Sequence, residues 1–254
     1  MILSTLQSSL TPPIIAHRGA SAYAPENTLA AFLKAKQLGF NWVEFDVLMT
    51  HTGDAIVFHD HDLARTTNGA GMVESYSYDY LKTLDAGSWF DPLFSDQSIP
   101  LLKDVLHLLH GQHLAANLEI KSGLKKEQIA VQRVFEVLQE NAMQLPSPLL
   151  ISSFSREVLR TARKISSTAL LGLLFNEWQE DWNHFAEEVQ CISIHANQAL
   201  LTQAKAAEIK EKGYLLLSHT VNDTHRAKEL LSWGVDAVFS NCPAVICDAF
   251  CHSR

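Results

Sequence analysis

The residues best equipped for chemistry stand where short apolar runs stop. His17 and Arg18 follow Ile14–Ile15–Ala16, and Gly19 then breaks the chain. Glu44 and Asp46 punctuate WVEFDVLM (42–49), His59 and Asp60 close AIVFHD (55–60), and Glu119 and Lys121 close LAANLEIK (114–121). Later runs end on Ser153 and Phe154, on His195 and Asn197, and on His219 and Asn222. Side chains two apart on a strand point the same way, so Glu44 shares a face with Asp46, and Glu119 with Lys121. Three carboxylates with no thiolate beside them suit one hard divalent cation, Mg²⁺ or Ca²⁺. Gathering them without a cation would raise their pKa values and cost stability. One Glu-x-Asp pair also fits a solvent-facing edge strand; a second acid-bearing strand end favours a site. Arg18 and Lys121 beside such a cation outline a phosphate or phosphodiester site. His17 and His59 each end an apolar strand next to another polar group and are read as functional. His51, His107, His110, His113, His184 and His225 fall on turns or helices and are read as structural.

These residues need a scaffold that gathers strand ends. Strand-like and helix-like segments alternate along the chain. Pro12 and Pro13 open the first strand, and Thr28 can cap a helix with Leu29, Phe32 and Leu33 on one face and Gly39 at its end. AIVFHD, after the turn Thr52–Gly53–Asp54, is taken as an extension of the second strand. Pro100 opens a helix with Leu102, Val105, Leu106 and Leu109 at helical spacing. Ser155 and Thr202 read as later helix caps, and Gly234 as a helix end. The count is eight strand–helix units, which favours a closed (β/α)₈ barrel over an open doubly wound sheet. In a parallel barrel the strand C-terminal ends converge on one face. Residues 61–98 break the rhythm with turn signals and aromatics, and read as an insertion over the barrel mouth.

The chain has 254 residues, 47% hydrophobic and 19% charged, which suits one domain over 1–254. A formal net charge of −8 argues against coating nucleic acid and against stable association with anionic membranes. No apolar stretch reaches the ~20 residues needed to span a bilayer, and the start lacks a basic leader. A cytoplasmic location is expected. Cys191, Cys242, Cys247 and Cys251 form no paired short spacing; Cys247, Cys251 and His252 could share a metal, but free thiols are favoured. Neither a Walker phosphate loop nor G-x-G-x-x-G is present.

The motifs AHRG, PENT, EFDV, VFHD, NLEIK, SSF, TVN and GVDAVFSNCP, in this order, resemble those of glycerophosphodiester phosphodiesterases. The resemblance extends to TTNGAG, LDAGSWF, EWQEDW and CISIHAN, and is greatest to the cytoplasmic bacterial enzyme linked to glycerol-3-phosphate uptake. It implies a metal-dependent (β/α)₈ barrel that releases sn-glycerol 3-phosphate and an alcohol. It further implies Glu44, Asp46 and Glu119 as metal ligands, His17 and His59 as the acid–base pair, and Arg18 and Lys121 as phosphate contacts. Glu26 resembles a position that supports the ligands and approaches the metal. Phe154 and Trp89 would line the glycerol or headgroup side, with Asn27, Asp60, His195, His219 and Asn222 in support. The chain departs from the family pattern at His219, where Trp or Tyr often precedes TVN, and at Ser240–Asn241, where Thr-Asp usually ends the last strand. Both departures are expected to bear on headgroup preference and to leave the metal–His set untouched. Three other readings compete. A metal-dependent amidohydrolase would use His59 and His61 with His195, His219 and Lys121, but leaves the three carboxylates idle. A phosphodiester-binding sensor would tolerate loss of a His or carboxylate, and none is lost. Phospholipase D-like action on lysolipids would favour an apolar entrance.

Overall fold

The computed structural model describes residues 2–121 and 127–251. Its strands are β1 (Ile14–Ala16), β2 (Trp42–Met49), β3 (Ala55–Val57), β4 (Ala115–Ile120), β5 (Leu149–Ser153), β6 (Leu170–Phe175), β7 (Ser193–Asn197), β8 (Leu215–His219) and β9 (Ala237–Ser240). They run β1-β9-β8-β7-β6-β5-β4-β2-β3, and a further β1–β2 pairing closes the ring. All pairings are parallel except β2 with β3, so eight parallel strands form a (β/α)₈ barrel. AIVFHD therefore does not extend the second strand. It turns back at Gly53 (φ +84°) and pairs antiparallel, Val47 opposite Val57.

The helices are α1 (Ile2–Ser9), α2 (Leu29–Gln37), α3 (Tyr78–Leu81), α4 (Leu102–Gly111), α5 (Glu127–Glu140), α6 (Arg156–Ile165), α7 (Trp182–Glu188), α8 (Gln203–Glu211), α9 (Thr224–Ser232) and α10 (Pro243–Cys251). Side-chain caps fix several starts: Thr28, Ser155 and Thr202 each accept from a backbone N–H three residues on.

Period-two alternation divides each strand between two cores. Val43, Phe45 and Val47 of β2 pack outward with helix residues such as Phe32, Val105 and Leu109. Trp42 on the opposite face joins Ile15, Leu150, Leu215 and Leu217 inside the barrel. Helix α1, unread in the sequence, closes the lower end of that interior with Leu6, joined by Leu10 just past its end. Trp42 donates its indole N–H to Ser9 O (3.1 Å), and Gln7 donates to Asp236 Oδ1 (2.7 Å). The sealed end leaves the strand C-termini as the open face.

Residues 61–98 hold more regular structure than the sequence suggested: α3 and two short 3₁₀ turns, Val73–Ser75 and Pro92–Phe94. They fold over a small core of their own, in which Leu63, Val73, Leu81 and Leu84 pack on Ile56 and Phe58. The suggested Cys–His metal cluster involves His252, which lies outside the described residues.

One backbone turn matters for the site. Gly19 has φ +76°, and a Cβ there would sit 2.6 Å from the Ala31 carbonyl carbon. Its N–H donates to Glu44 O (3.3 Å), tying the turn after β1 to β2. Gly19→Ala is expected to cost roughly 1–3 kcal/mol from the strained φ and the backbone clash. A urea midpoint equal to the parent's would refute this.

Candidate active site

The cluster begins with register. Glu44 and Asp46 alternate inward on β2, and β4 pairs Asn117 with Glu44 and Glu119 with Asp46. Carboxylate oxygens of Glu44, Asp46 and Glu119 consequently lie within 4.8 Å of one another, all buried. Burial, with Asp46 and then Glu119 beside it, pushes the Glu44 carboxyl well above the usual range. Burial and Asp46 likewise raise Glu119. Burial also opposes ionisation of Asp46, but Lys121 and Arg18 outweigh it and hold its pKa low. Lys121 Nζ lies 3.1 Å from Glu119 Oε1 and 3.4 Å from Asp46 Oδ1. Two cations thus face three carboxylates, and the all-oxygen donor set fits one hard divalent cation.

Arg18 enters from the turn after β1, with φ 54°. Its backbone N–H donates to Glu44 Oε2 (2.9 Å), and its Nε lies 3.4 Å from Asp46 Oδ2. Its Nη1 donates to Glu26 Oε1 (2.8 Å). Asn27, also at positive φ (57°), donates Nδ2–H to Asp46 Oδ2 (2.8 Å). The two positive-φ residues let both ends of the connection between β1 and α2 reach the same carboxylate.

The two imidazoles are anchored differently. His17 Nδ1 lies 2.6 Å from Asn241 Oδ1, and its Nε2 lies 3.8 Å from Glu44 Oε2. Burial and then Arg18 bring the His17 pKa down to about 3, so the ring is neutral near pH 7. His59 Nδ1 lies 2.5 Å from Asp60 Oδ1. Burial lowers its pKa, with Asp46 and the Asp60 hydrogen bond opposing the shift. Asp60 in turn accepts from Arg65 Nε (2.5 Å), and the hydrogen bonds from Arg65 and His59 hold its carboxyl below the usual range.

These groups share a cavity of about 350 Å³ at the strand C-termini, lined by His17, Arg18, Glu44, Asp46, His59, Glu119, Lys121, Phe154 and His219. Asn117, Leu174, Asn176, Thr220 and Phe239 complete its wall. An open groove of about 460 Å³ continues past His59, Asp60, His61 and Asp62, sharing Glu119, Lys121 and Phe154 with the cavity.

The other expected site residues lie at varying remove from the carboxylates. Glu26 is not part of the Glu44–Asp46–Glu119 cluster and pairs with Arg18 and Arg65, in support of Arg18. Trp89 is not among the residues lining the cavity. It is 41% exposed, its indole N–H donates to Ala86 O (2.9 Å), and it packs on Phe90, because residues 61–98 fold on their own core. His195 is also absent from the lining. It is fully buried among the barrel's inward side chains, Nε2 2.9 Å from Ser193 Oγ, its ring near Phe239. Asn222 acts from behind, accepting from Asn241 N (2.9 Å) and Ser240 Oγ (3.2 Å). The departure at Asn241 does touch the His pair, because its Oδ1 is the partner of His17. His219 lines the cavity edge-on to Phe154 and meets Asn176 Oδ1 through Nε2 (3.2 Å).

Asn117, Asn176 and Arg65 were missed. Period two from Glu119 reaches Asn117, and Asn176 ends β6 as the other polar residues end their strands. Arg65 carries no comparable signal, since only the folded loop brings it to Asp60.

A closed parallel barrel with buried carboxylates, two imidazoles and two cations at its strand C-termini defines a class of phosphodiester-cleaving enzymes. The sequence matches the Glycerophosphoryl diester phosphodiesterase family over residues 17–245, and the chain belongs to that family. It is 32% identical to a glycerophosphodiester phosphodiesterase of Caldanaerobacter subterraneus subsp. tengcongensis, over 92% of this chain and 95% of that one. It is also 32% identical to a Bacillus subtilis glycerophosphodiester phosphodiesterase, over 90% and 83% of the two chains. Among solved structures, an Oleispira antarctica phosphodiesterase in complex with the product sn-glycerol-3-phosphate superposes with a TM-score of 0.91, at 35% identity, over 96% and 98% of the chains. Among the described residues no helix is long and apolar enough to cross a membrane.

Proposed function

We propose that the enzyme hydrolyses small water-soluble glycerophosphodiesters, such as glycerophosphocholine and glycerophosphoethanolamine, to sn-glycerol 3-phosphate and an alcohol. The observation that carries this reading is the union in one cavity of the carboxylate cluster, Arg18, Lys121 and both imidazoles. Glu44, Asp46 and Glu119 would hold one divalent cation, Mg²⁺ or Ca²⁺, which supplies Lewis-acid neutralisation of phosphoryl charge. Arg18 and Lys121 would bind the phosphate oxygens and offset the charge gained in the transition state.

The partners of the imidazoles support a division of labour. The neutral Asn241 carbonyl fixes the proton on Nδ1 of His17 and leaves the Nε2 lone pair as a base. A carboxylate on Nδ1 favours the protonated form, so His59, backed by Asp60, is the better general acid. His59 also lies where the cavity meets the open groove, the side on which an alcohol would depart. In this scheme the glycerol 2-hydroxyl attacks phosphorus while His17 takes its proton. The bond from phosphorus to the alcohol oxygen breaks as His59 protonates that oxygen. The cyclic 1,2-phosphate is then opened by water, which gives its proton to His59 while His17 returns one to the glycerol 2-oxygen.

The cavity is narrow and the groove open, so discrimination falls on the glycerol phosphate half. Release of glycerol 3-phosphate from choline, ethanolamine and glycerol diesters is expected within about tenfold in kcat/KM, the scale of modest pocket discrimination. A strong preference for lysolipids or intact diacyl lipids in the same assay would overturn the reading.

A further inference from the structure

Arg65, in the loop after β3, has no place in the scheme above and lies outside the cavity lining. Its side chain is 45% exposed, yet its guanidinium makes four hydrogen bonds in one plane. Nη1 and Nη2 donate to Glu26 Oε2 (2.8 Å) and Oε1 (2.7 Å). Nε and Nη2 donate to Asp60 Oδ2 (2.5 Å) and Oδ1 (3.0 Å). The two oxygens met by Nη2 are also the ones bonded to residues of the cavity wall. Glu26 Oε1 also accepts from Arg18 Nη1, and Asp60 Oδ1 also meets His59 Nδ1. One nitrogen of Arg65 therefore stands a single carboxylate away from both Arg18 and His59.

We infer that Arg65 is a positioning residue, a clamp that sets the orientation of His59 through Asp60 and of Arg18 through Glu26. The inference rests on the proposed roles of those two residues. Without the guanidinium, Glu26 and Asp60 are neighbouring anions that repel and can rotate apart, carrying Arg18 and His59 with them. Lysine cannot replace it, because one ammonium lacks the planar fork that grips two carboxylates bidentately. The case against a purely structural role lies in the size and place of the effect: a bidentate network of this kind can add some stability, whereas small displacements of catalytic groups lower rates far beyond any loss of folded protein. The network also joins two connections through side chains, the one between β1 and α2, which carries Arg18 and Glu26, and the one after β3, which carries Asp60 and Arg65.

The decisive experiment is a mutant cycle with steady-state kinetics on glycerophosphocholine. Arg65→Met is expected to lower kcat about 10–100-fold, the range seen when a group that orients a site residue is removed. It should also raise KM severalfold through the loosened Arg18, with any fall in the thermal midpoint too small to unfold the protein at the assay temperature. Arg65→Lys should recover less than half of the lost kcat on a logarithmic scale. In a His59→Ala background the kcat effect of Arg65→Met should vanish while its effect on KM persists, because only the Arg18 arm remains. An unchanged kcat, an equal kcat loss in both backgrounds, or a loss matched by a smaller folded fraction would each overturn the clamp. Failure of the parent enzyme to cleave glycerophosphocholine would instead overturn the substrate reading, so the two failures are distinct.

Discussion

Chelator-treated enzyme is expected to lose turnover of glycerophosphocholine by about 10³-fold or more, and Mg²⁺ or Ca²⁺ to restore it. The size follows from the several kcal/mol that Lewis-acid neutralisation contributes in phosphoryl chemistry, at about 1.4 kcal/mol per tenfold in rate. The direction follows from charge. Glu44, Asp46 and Glu119 face the two cations Arg18 and Lys121, and burial with mutual repulsion raises Glu44 and Glu119. A divalent cation reverses that pressure by favouring the ionised carboxylates, so its binding should release protons at neutral pH. Proton release on titrating Mg²⁺ into chelator-treated protein is therefore a readout independent of turnover. Glu44→Gln should weaken cation binding while retaining the fold, since it removes one buried charge and keeps the shape. Full activity after chelation, with no proton release on adding the cation back, would refute the metal-binding role of the cluster.

The barrel was legible because the parallel strands are short, apolar on their outer faces and followed by helices, several of which carry a side-chain cap. Thr28, Ser155 and Thr202 cap the helices where the sequence placed them. The reversal of β3 was not legible. A Gly-centred turn permits either a continued strand or a hairpin, and the choice is made by pairing of Ile56 and Val57 with β2. Helix α1 was missed because eight residues are too few to form a stable helix on their own, and it is held by Leu6 and the following Leu10 on the barrel floor. At the site, period two along a strand brought Glu44, Asp46, Glu119 and Lys121 together on the page. What it could not reveal was contact between loops. Asn241 reaches His17 across 224 positions and Arg65 reaches Glu26 across 39, and neither separation has a sequence period. Trp89 shows how an aromatic in the same loop makes its contacts locally, with Ala86 and Phe90.

A diester whose glycerol lacks the 2-hydroxyl should bind and resist cleavage. A phosphodiester is a poor electrophile because it is already anionic, so a nucleophile held beside phosphorus has a large advantage over water. Intramolecular attack avoids most of the entropy cost of recruiting a second reactant, with effective molarities that reach about 10⁵ M or more in well-oriented systems. The cavity residues supply no competing Ser or Cys nucleophile, and His17 carries a free Nε2 lone pair if Asn241 holds its Nδ1 proton. The deoxy analogue should thus inhibit competitively with a Ki near the KM of the parent diester. The two imidazoles should also separate. His17→Ala and His59→Ala are each expected to lower kcat about 10²–10⁴-fold, the usual worth of a positioned acid or base. His59→Ala, however, should be largely spared on a diester with a p-nitrophenol leaving group, which departs without a proton, whereas His17→Ala should stay slow. Asn241→Ala should follow His17→Ala in direction with a smaller loss, since it frees the ring without removing it. Normal turnover of the deoxy analogue would mean that water attacks directly, and equal losses for both His variants on the activated diester would remove the assignment of base and acid.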